Sequence, residues 1–123
     1  MLIHIVHLED EKDLRNVFAE VIAIMSSDVN LQQFSNADDV LDYVRTYGKT
    51  VNVFVLDIRV PGQLNGLDLA AKIRESGCAG RIIITSAYQM PPVALLESLR
   101  AEYMGKPWDA PEFFTKILDS KPD

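Results

Sequence analysis

The chain has 123 residues, of which 48% are hydrophobic and 24% are charged. This balance is typical of a globular domain and not of a disordered chain. The formal charge of -6 opposes binding to nucleic acid phosphates, so we expect no direct contact with nucleic acid. The one cysteine, Cys78, cannot form an internal disulfide, and the apolar stretch Leu2 to Leu8 is too short for a membrane span. We therefore expect a reducing, cytoplasmic location and no membrane attachment.

Short apolar runs predict five strands. Leu2 to Leu8, Val51 to Leu56 and Arg81 to Thr85 are rich in Val, Ile and Leu, which is typical of strands buried on both faces of a parallel sheet. Val29 to Phe34 and Glu102 to Gly105 predict two weaker strands.

Between these strands, helical spacing predicts the first three helices. The second helix should begin near Ser35-Asn36-Ala37-Asp38, because a Ser or Asn start followed by acids suits the helix dipole. The third should end at Gly77. The apolar positions that mark the first helix are Leu14, Val17, Phe18, Val21, Ile24 and Met25.

Two more helices follow the last two apolar runs. The pair Pro91-Pro92 introduces a short fourth helix, because proline is tolerated only in a first turn. Asp109 and Glu112 are spaced as a capping pair at the start of the fifth helix. The apolar positions of these two helices are Val93, Leu96, Leu99, Phe113, Phe114, Ile117 and Leu118.

Strand and helix therefore alternate five times, which predicts an α/β fold with right-handed crossovers and a parallel sheet covered on both faces. We find no linker or internal repeat, and we expect one domain over residues 1–123 with a frayed tail at 120–123.

Polar side chains follow the predicted strands at the edge where such a sheet binds ligands. Glu9 and Asp10 follow the first strand, and Asp57 follows the third. Thr85-Ser86 ends the fourth strand, and the fifth runs into Lys106-Pro107. Three carboxylates, a hydroxyl group and an ammonium group should therefore meet at this edge.

Such a set of side chains suits a metal ion and a phosphoryl group. Three close carboxylates repel one another, and a divalent cation removes this conflict. Oxygen ligands favour Mg2+, which in proteins commonly binds phosphate oxygens as well. A carboxylate nucleophile, a metal, a lysine and a hydroxyl donor are sufficient for phosphoryl transfer.

Four segments in which these residues lie resemble the signature blocks of response-regulator receiver domains, in the same order. They are Leu8-Glu9-Asp10-Glu11, Val55-Leu56-Asp57-Ile58-Arg59-Val60-Pro61-Gly62, Ile84-Thr85-Ser86-Ala87 and Tyr103-Met104-Gly105-Lys106-Pro107. The resemblance covers essentially the whole chain. It implies a flavodoxin-like, doubly wound (βα)5 fold with strand order 2-1-3-4-5.

The resemblance also implies roles for the edge residues. Asp57 would be the phospho-acceptor, Asp10 a direct Mg2+ ligand, and Glu9 a ligand through water or through its longer side chain. The backbone carbonyl of Arg59 would be a further ligand, so that the Arg59 side chain is free to vary. Lys106 would pair with the phosphoryl oxygens, and the peptide bond after it would be cis.

Two further residues would transmit the effect of phosphorylation to the output surface of the domain. Ser86 matches the hydroxyl residue that moves to the phosphoryl group. The neighbouring Thr85 is the alternative for this role, and only the match of the small Ala87 after Ser86 separates the two. Tyr103 matches the aromatic position whose rotamer follows that movement.

The resemblance thus implies a switch and not an enzyme in the usual sense, although the chain would catalyse its own phosphorylation and dephosphorylation. The donor would be a sensor histidine kinase or a histidine phosphotransfer domain, and the output partner stays open. A homodimer through helix 4, strand 5 and helix 5 is in doubt, because the stretch from Ser86 to Lys106 is shorter than usual. Whether the chain acts alone or is part of a longer regulator also stays open.

Other readings compete with these roles. A degenerate receiver would be a phosphorylation-independent interaction module. A flavodoxin-like electron carrier is disfavoured because Glu9-Asp10-Glu11 would repel a flavin phosphate. A haloacid-dehalogenase-type phosphatase needs a second Asp where Arg59 stands. His4 and His7 are expected to be core or sheet-edge residues and not metal ligands.

Overall fold

The computed structural model describes residues 2–119, apart from the side chain of Ala110. The predicted frayed tail, residues 120–123, lies outside the described residues. The strands are β1 (Ile3–Leu8), β2 (Val29–Phe34), β3 (Val53–Asp57), β4 (Arg81–Ser86) and β5 (Ala101–Gly105). The helices are α1 (Lys12–Met25), α2 (Ala37–Tyr47), α3 (Gly66–Glu75), α4 (Val93–Leu99) and α5 (Ala110–Leu118).

The strands form one parallel sheet in the order β2-β1-β3-β4-β5, which confirms the predicted topology. Strand order reverses beside β1, because the chain moves outward to β2 and then back across β1 to β3. Leu8 pairs with Leu56, and Asp57 pairs with Thr85, so the carboxyl ends of the three inner strands are level. The residues that follow these strands therefore come together at one edge.

Successive side chains of each strand point to opposite faces, so the sheet has a core on each side. One core lies under α2, α3 and α4 and includes Val6, Leu56 and Ile84. The other lies under α1 and α5 and includes Val55 and Ile83.

Local capping explains where the second and third helices begin and end. Asn36 caps α2 by accepting a hydrogen bond from the Asp39 amide, as the sequence predicted for this stretch. Asn65 caps α3, and the Asp68 side chain accepts in return from the Asn65 amide. The chain leaves α3 through Gly77, whose φ of +81° is readily adopted only by glycine.

The predicted apolar stripe of α1 was wrong in part. Phe18 is fully buried, but Ile24 is 85% exposed and Val17 is 51% exposed, and Met25 is also exposed. The buried partner of Phe18 is Ile22, one turn further along the helix. The helix contacts the sheet through a narrow face, and the sequence pattern overestimated the width of this face.

The last two helices also differ from prediction. Asp109 is at the N-cap position of α5, but its side chain makes no capping hydrogen bond, so the predicted pair with Glu112 is not formed. The fourth helix is short, as predicted, with seven residues, and it buries Leu96 and Leu99 while Val93 is 56% exposed.

Within residues 2–119, none of the helices is both long and apolar enough to cross a membrane.

Candidate functional site

Three carboxylates meet at the carboxyl edge of the sheet. Glu9 and Asp10 directly follow β1, and Asp57 is the last residue of β3. Carboxylate oxygens of the three residues all lie within 4.8 Å of one another. Glu9 and Asp57 are buried, whereas Asp10 is exposed. The cluster therefore opens to solvent on the side of Asp10.

Lys106, which follows β5, reaches back to two of these acids. Its Nζ donates to Asp57 Oδ2 at 3.0 Å and to Glu9 Oε1 at 2.5 Å. The peptide bond between Lys106 and Pro107 is cis, as the sequence resemblance implied. One ammonium group is thus shared by two buried carboxylates, and the excess of negative charge suits a divalent cation.

Burial and these ion pairs shift the pKa values of Glu9 and Lys106. Burial raises the pKa of the Glu9 carboxyl, and the hydrogen bond from Lys106 only partly opposes this. Burial by itself would lower the pKa of Lys106, but its hydrogen bonds to Glu9 and Asp57 outweigh burial and raise the pKa. Lys106 is therefore positively charged at neutral pH.

The two neighbouring hydroxyl residues at the end of β4 have different partners. The Thr85 hydroxyl accepts a hydrogen bond from the indole Nε1 of Trp108 at 2.8 Å. The Ser86 hydroxyl accepts from the backbone amide of Tyr88 at 3.0 Å. The Thr85 hydroxyl thus contacts the segment after β5, whereas the Ser86 hydroxyl contacts the loop that follows β4.

Tyr103 in β5 is half-buried and contacts the same loop. Its hydroxyl lies 3.0 Å from the carbonyl oxygen of Tyr88 and 3.3 Å from that of Ser86. The side chains of Ser86 and Tyr103 therefore bind the backbone of the same loop residue, Tyr88, through its amide and its carbonyl.

The Arg59 side chain makes a defined contact, although the resemblance implied no role for it. Its guanidinium carbon lies 3.8 Å from the centroid of the Tyr88 ring, which forms a cation–π contact between the loops after β3 and β4. Its backbone carbonyl stays a predicted metal ligand.

An apolar cavity of about 400 Å³ adjoins this site. It is lined by Leu14, Ala87, Lys106, Pro107 and Trp108. The cavity places apolar side chains of α1 and of the segment after β5 beside the charged cluster.

Sequence reasoning missed two features of the site. It predicted that Glu9 is a ligand through water or through its longer side chain, but not that Glu9 is 1% exposed and forms the shortest contact with Lys106. It also overlooked Arg15, whose Nη1 donates to the backbone carbonyls of Glu9 at 2.8 Å and Asp10 at 2.9 Å. A basic residue in the first turn of a helix, where the dipole disfavours it, was the available signal.

Both histidines are buried residues of β1, in agreement with the predicted core or sheet-edge position. His4 hydrogen bonds through both ring nitrogens, to the hydroxyl groups of Thr50 and Tyr43. His7 is fully buried, and burial lowers its pKa to about 3, with the charges of Lys106 and Arg15 acting in the same direction.

The fold and the edge residues define a class of α/β protein with a doubly wound parallel sheet and an acidic site at the strand ends. A model of the response regulator receiver domain family matches residues 4–118. The chain therefore belongs to the response regulator receiver domain family, whose general function is that of a phospho-acceptor in two-component signal transduction.

Solved structures confirm the fold. A CheY-like receiver domain from Methylobacillus flagellatus is 17% identical, with a TM-score of 0.82, over 98% of this chain and 100% of that one. A LuxR-family DNA-binding response regulator from Staphylococcus aureus is 23% identical, with a TM-score of 0.80, over 97% of this chain and 98% of that one. A CheY-like receiver domain from Methanospirillum hungatei JF-1 is 17% identical, with a TM-score of 0.78, over 97% of this chain and 93% of that one. A comparison with curated proteins gave no significant match.

Proposed function

We propose that Asp57 is the residue that accepts the phosphoryl group, and that a phosphohistidine on a sensor histidine kinase or a histidine phosphotransfer domain is the donor. The observation that carries this proposal is the position of Asp57. It is a buried carboxylate at the end of a central strand, 3.0 Å from the Lys106 ammonium and beside Glu9 and Asp10.

Glu9, Asp10 and Asp57 would hold Mg2+, together with the backbone carbonyl of Arg59. The fit rests on the donor set, since three carboxylates lie within 4.8 Å of one another with one shared ammonium group. Hard oxygen donors in this number suit Mg2+. When bound, the cation neutralises charge on the transferring phosphoryl oxygens.

In the transfer step, a carboxylate oxygen of Asp57 attacks phosphorus in line with the leaving group. A bond forms between this oxygen and phosphorus, and the phosphorus–nitrogen bond of the donor breaks, so that imidazole leaves with the electron pair. Lys106 then transfers its contact from the Asp57 oxygen to the phosphoryl oxygens. Water later attacks phosphorus and releases inorganic phosphate, which regenerates the carboxylate.

Ser86 and Tyr103 would carry this change outward. The phosphoryl oxygens would attract the Ser86 hydroxyl away from the Tyr88 amide, which it now accepts from at 3.0 Å. The carbonyl to which Tyr103 donates belongs to the same short loop, so its movement would change the position of the Tyr103 ring. The two conformations would coexist before phosphorylation, and phosphorylation would shift their populations.

The donor would dock beside the site, where the apolar cavity next to Lys106 offers Leu14 and Trp108. The output partner would bind the surface of α4, β5 and α5, where Val93 and Leu95 of α4 are exposed. This same surface could pair two copies, although the shortness of α4 counts against the usual dimer.

We also propose that residues 1–123 form one domain that acts in the reducing cytoplasm, which suits the free thiol of Cys78. The chain would be a self-modifying switch and not an enzyme that turns over a separate substrate.

The test is the intact mass of the protein after incubation with acetyl phosphate, with and without Mg2+. We expect the wild type to gain one phosphoryl group only with Mg2+, and Asp57→Asn to gain none. Asp42→Asn is a matched control, because Asp42 is an exposed aspartate of α2 away from the site, and it should gain the group as the wild type does.

A wild type that gains no mass and binds no Mg2+ would contradict the proposal. The chain would then be a degenerate receiver that acts as an interaction module. A mass gain that persists in Asp57→Asn would place the acceptor elsewhere.

A further inference from the structure

The junction between β1 and α1 carries two of the three acids of the site. Leu8 ends β1 and Lys12 begins α1, so Glu9, Asp10 and Glu11 form the whole connection. Glu11 is at the N-cap position, but its side chain makes no capping hydrogen bond. The usual means of fixing the start of a helix is therefore not used here.

Arg15 fixes this junction from within the helix. Its Nη1 donates to the carbonyl oxygen of Glu9 at 2.8 Å and to that of Asp10 at 2.9 Å, while its own amide donates to the carbonyl of Glu11 at 3.0 Å. One side chain thus binds two consecutive carbonyls of the residues that carry the acids. Hydrogen bonds from a charged donor are shorter and stronger than those from a neutral donor.

Arg15 is itself held by neighbouring elements. Gln33 in β2 donates from Nε2 to the carbonyl oxygen of Arg15 at 2.9 Å, and the same nitrogen lies 3.0 Å from His7 Nδ1. The His7 ring stacks on Phe18 of α1, with centroids 3.8 Å apart. The support of Arg15 therefore comes from β1, β2 and α1 together.

The three carboxylates that Arg15 helps to place repel one another when ionised. Among residues 2–119, the one ammonium group in direct contact with them is that of Lys106, which contacts Glu9 and Asp57 but not Asp10. The exposed Asp10 is thus the acid with the least side-chain restraint, and its backbone carbonyl is one of the two that Arg15 binds.

We propose that Arg15 is a positioning residue of the phosphoryl-transfer site, which holds the backbone of Glu9 and Asp10 so that their carboxylates face Asp57. This inference rests on the proposed function, because it assumes that the three acids bind Mg2+. Arg15 acts through the backbone of the ligands and touches neither the metal nor the phosphoryl group. Its main effect is on the affinity of the acids for the cation.

The experiment compares Mg2+ binding by the wild type, Arg15→Gln and Arg15→Lys. Trp108 is the one tryptophan of the chain, and its ring centroid lies 5.7 Å from Lys106 Nζ, so its fluorescence reports on the site. Loss of a residue that orients metal ligands typically weakens metal binding about 10–100-fold. We expect Arg15→Gln to raise the Mg2+ dissociation constant about tenfold and Arg15→Lys to raise it less.

The rate of phosphorylation by acetyl phosphate separates positioning from chemistry. At saturating Mg2+ we expect Arg15→Gln to react within about twofold of the wild-type rate. The variant should differ from the wild type in the Mg2+ concentration that half-maximal rate requires. Arg45→Gln is the matched control, because Arg45 is an exposed arginine of α2 that pairs with Asp42, and its Mg2+ affinity should not change.

An unchanged Mg2+ dissociation constant in a folded Arg15→Gln, even with a lower free energy of unfolding, would overturn the inference and leave a merely structural role. If Arg15→Gln does not fold, Arg15→Lys and Gln33→Leu decide the question, and unchanged Mg2+ affinity in both overturns it. If the wild type itself binds no Mg2+, it is the proposed function that fails.

Discussion

On the face of the sheet covered by α2, α3 and α4, the core is mainly aliphatic, whereas under α1 and α5 it is built around three phenylalanines. Phe113 stacks on Trp108 with ring centroids 4.2 Å apart, and Phe18 contacts Phe113 and Phe114. The aromatic core extends to the site, because Trp108 also donates to Thr85. A packing change under α1 and α5 would therefore reach the strand ends directly.

The two histidines of β1 show the same contrast. His4 points to the aliphatic side, where both ring nitrogens have hydroxyl partners. His7 points to the aromatic side, where Gln33 reaches Nδ1 but Nε2 is buried without a hydrogen-bond partner among residues 2–119. The aromatic side thus contains a buried polar atom without a hydrogen bond. Such an atom lowers the free energy of unfolding by about 1–3 kcal/mol, which the surrounding apolar packing offsets.

On the aliphatic side, polar groups hold the less regular elements. The Arg74 guanidinium donates to four backbone carbonyls, those of Cys78, Gly80, Leu99 and Arg100. It thereby joins the turn after α3 to the end of α4, where Arg100 has a φ of +51° that non-glycine residues rarely adopt. The short α4 is consequently fixed by a side chain of another helix.

The largest effect should follow from breaking this anchor. We expect Arg74→Ala to lower the free energy of unfolding by about 3 kcal/mol, because several partly buried carbonyls lose their donor at about 1–3 kcal/mol each. Urea unfolding measures the change. Arg45→Ala, at an exposed pair, should cost less than about 1 kcal/mol, and an equal cost for both would show that Arg74 is no anchor.

The pH dependence of stability tests the aromatic side. The folded-state pKa of His7 is about 3, below its ordinary value of 6.5, so the unfolded state binds more protons between these values. Stability from His7 is complete above pH 6.5 and is lost as the pH falls toward 3. We expect a loss of about 2 kcal/mol between pH 6.5 and 5.

Urea unfolding of His7→Leu across the same pH range isolates this contribution. His4, whose pKa burial also lowers, acts in the same direction, and Glu9, whose pKa is raised, acts in the opposite one. Both remain in the variant, so the difference between the two curves belongs to His7. Parallel curves would mean that His7 does not titrate differently on folding.

The smallest expected change in stability concerns the N-terminal caps of two helices that lie on opposite faces of the sheet. Asn65 caps α3 through two backbone amides, whereas Asp109 at the start of α5 makes no side-chain capping bond. We expect Asn65→Ala to cost about 1 kcal/mol and Asp109→Ala less than about 0.5 kcal/mol in the free energy of unfolding. Equal costs would indicate that the α5 cap forms in solution.

The sequence was most informative where the physical signal is local. Continuous apolar runs identify strands buried on both faces, and their alternation with helices predicts a parallel sheet with right-handed crossovers. The order of its strands was implied by the resemblance to receiver domains. The site residues follow from the same reasoning, because Glu9, Asp10, Asp57 and Lys106 stand at strand ends that a parallel sheet brings to one edge.

Where helical periodicity alone was the guide, prediction was weaker. An apolar residue such as Ile24 fits the period of a helix, but whether it is buried depends on the contact that the helix makes with the sheet. The Asp109–Glu112 spacing fits a capping pair, but the backbone after Trp108 does not bring the side chain to the amides.

By itself, the sequence thus determined the order of elements and the set of polar residues at the carboxyl edge, since both depend on residue type and spacing along the chain. The strand order was implied only by the resemblance to receiver domains. The tertiary structure decided which of these residues touch. It buried Glu9 against Lys106, assigned Thr85 to Trp108 and brought Arg15 to the carbonyls of the acidic pair. These contacts depend on the packing of α1, β4 and β5, because the direction and reach of a side chain are set by the elements packed around it.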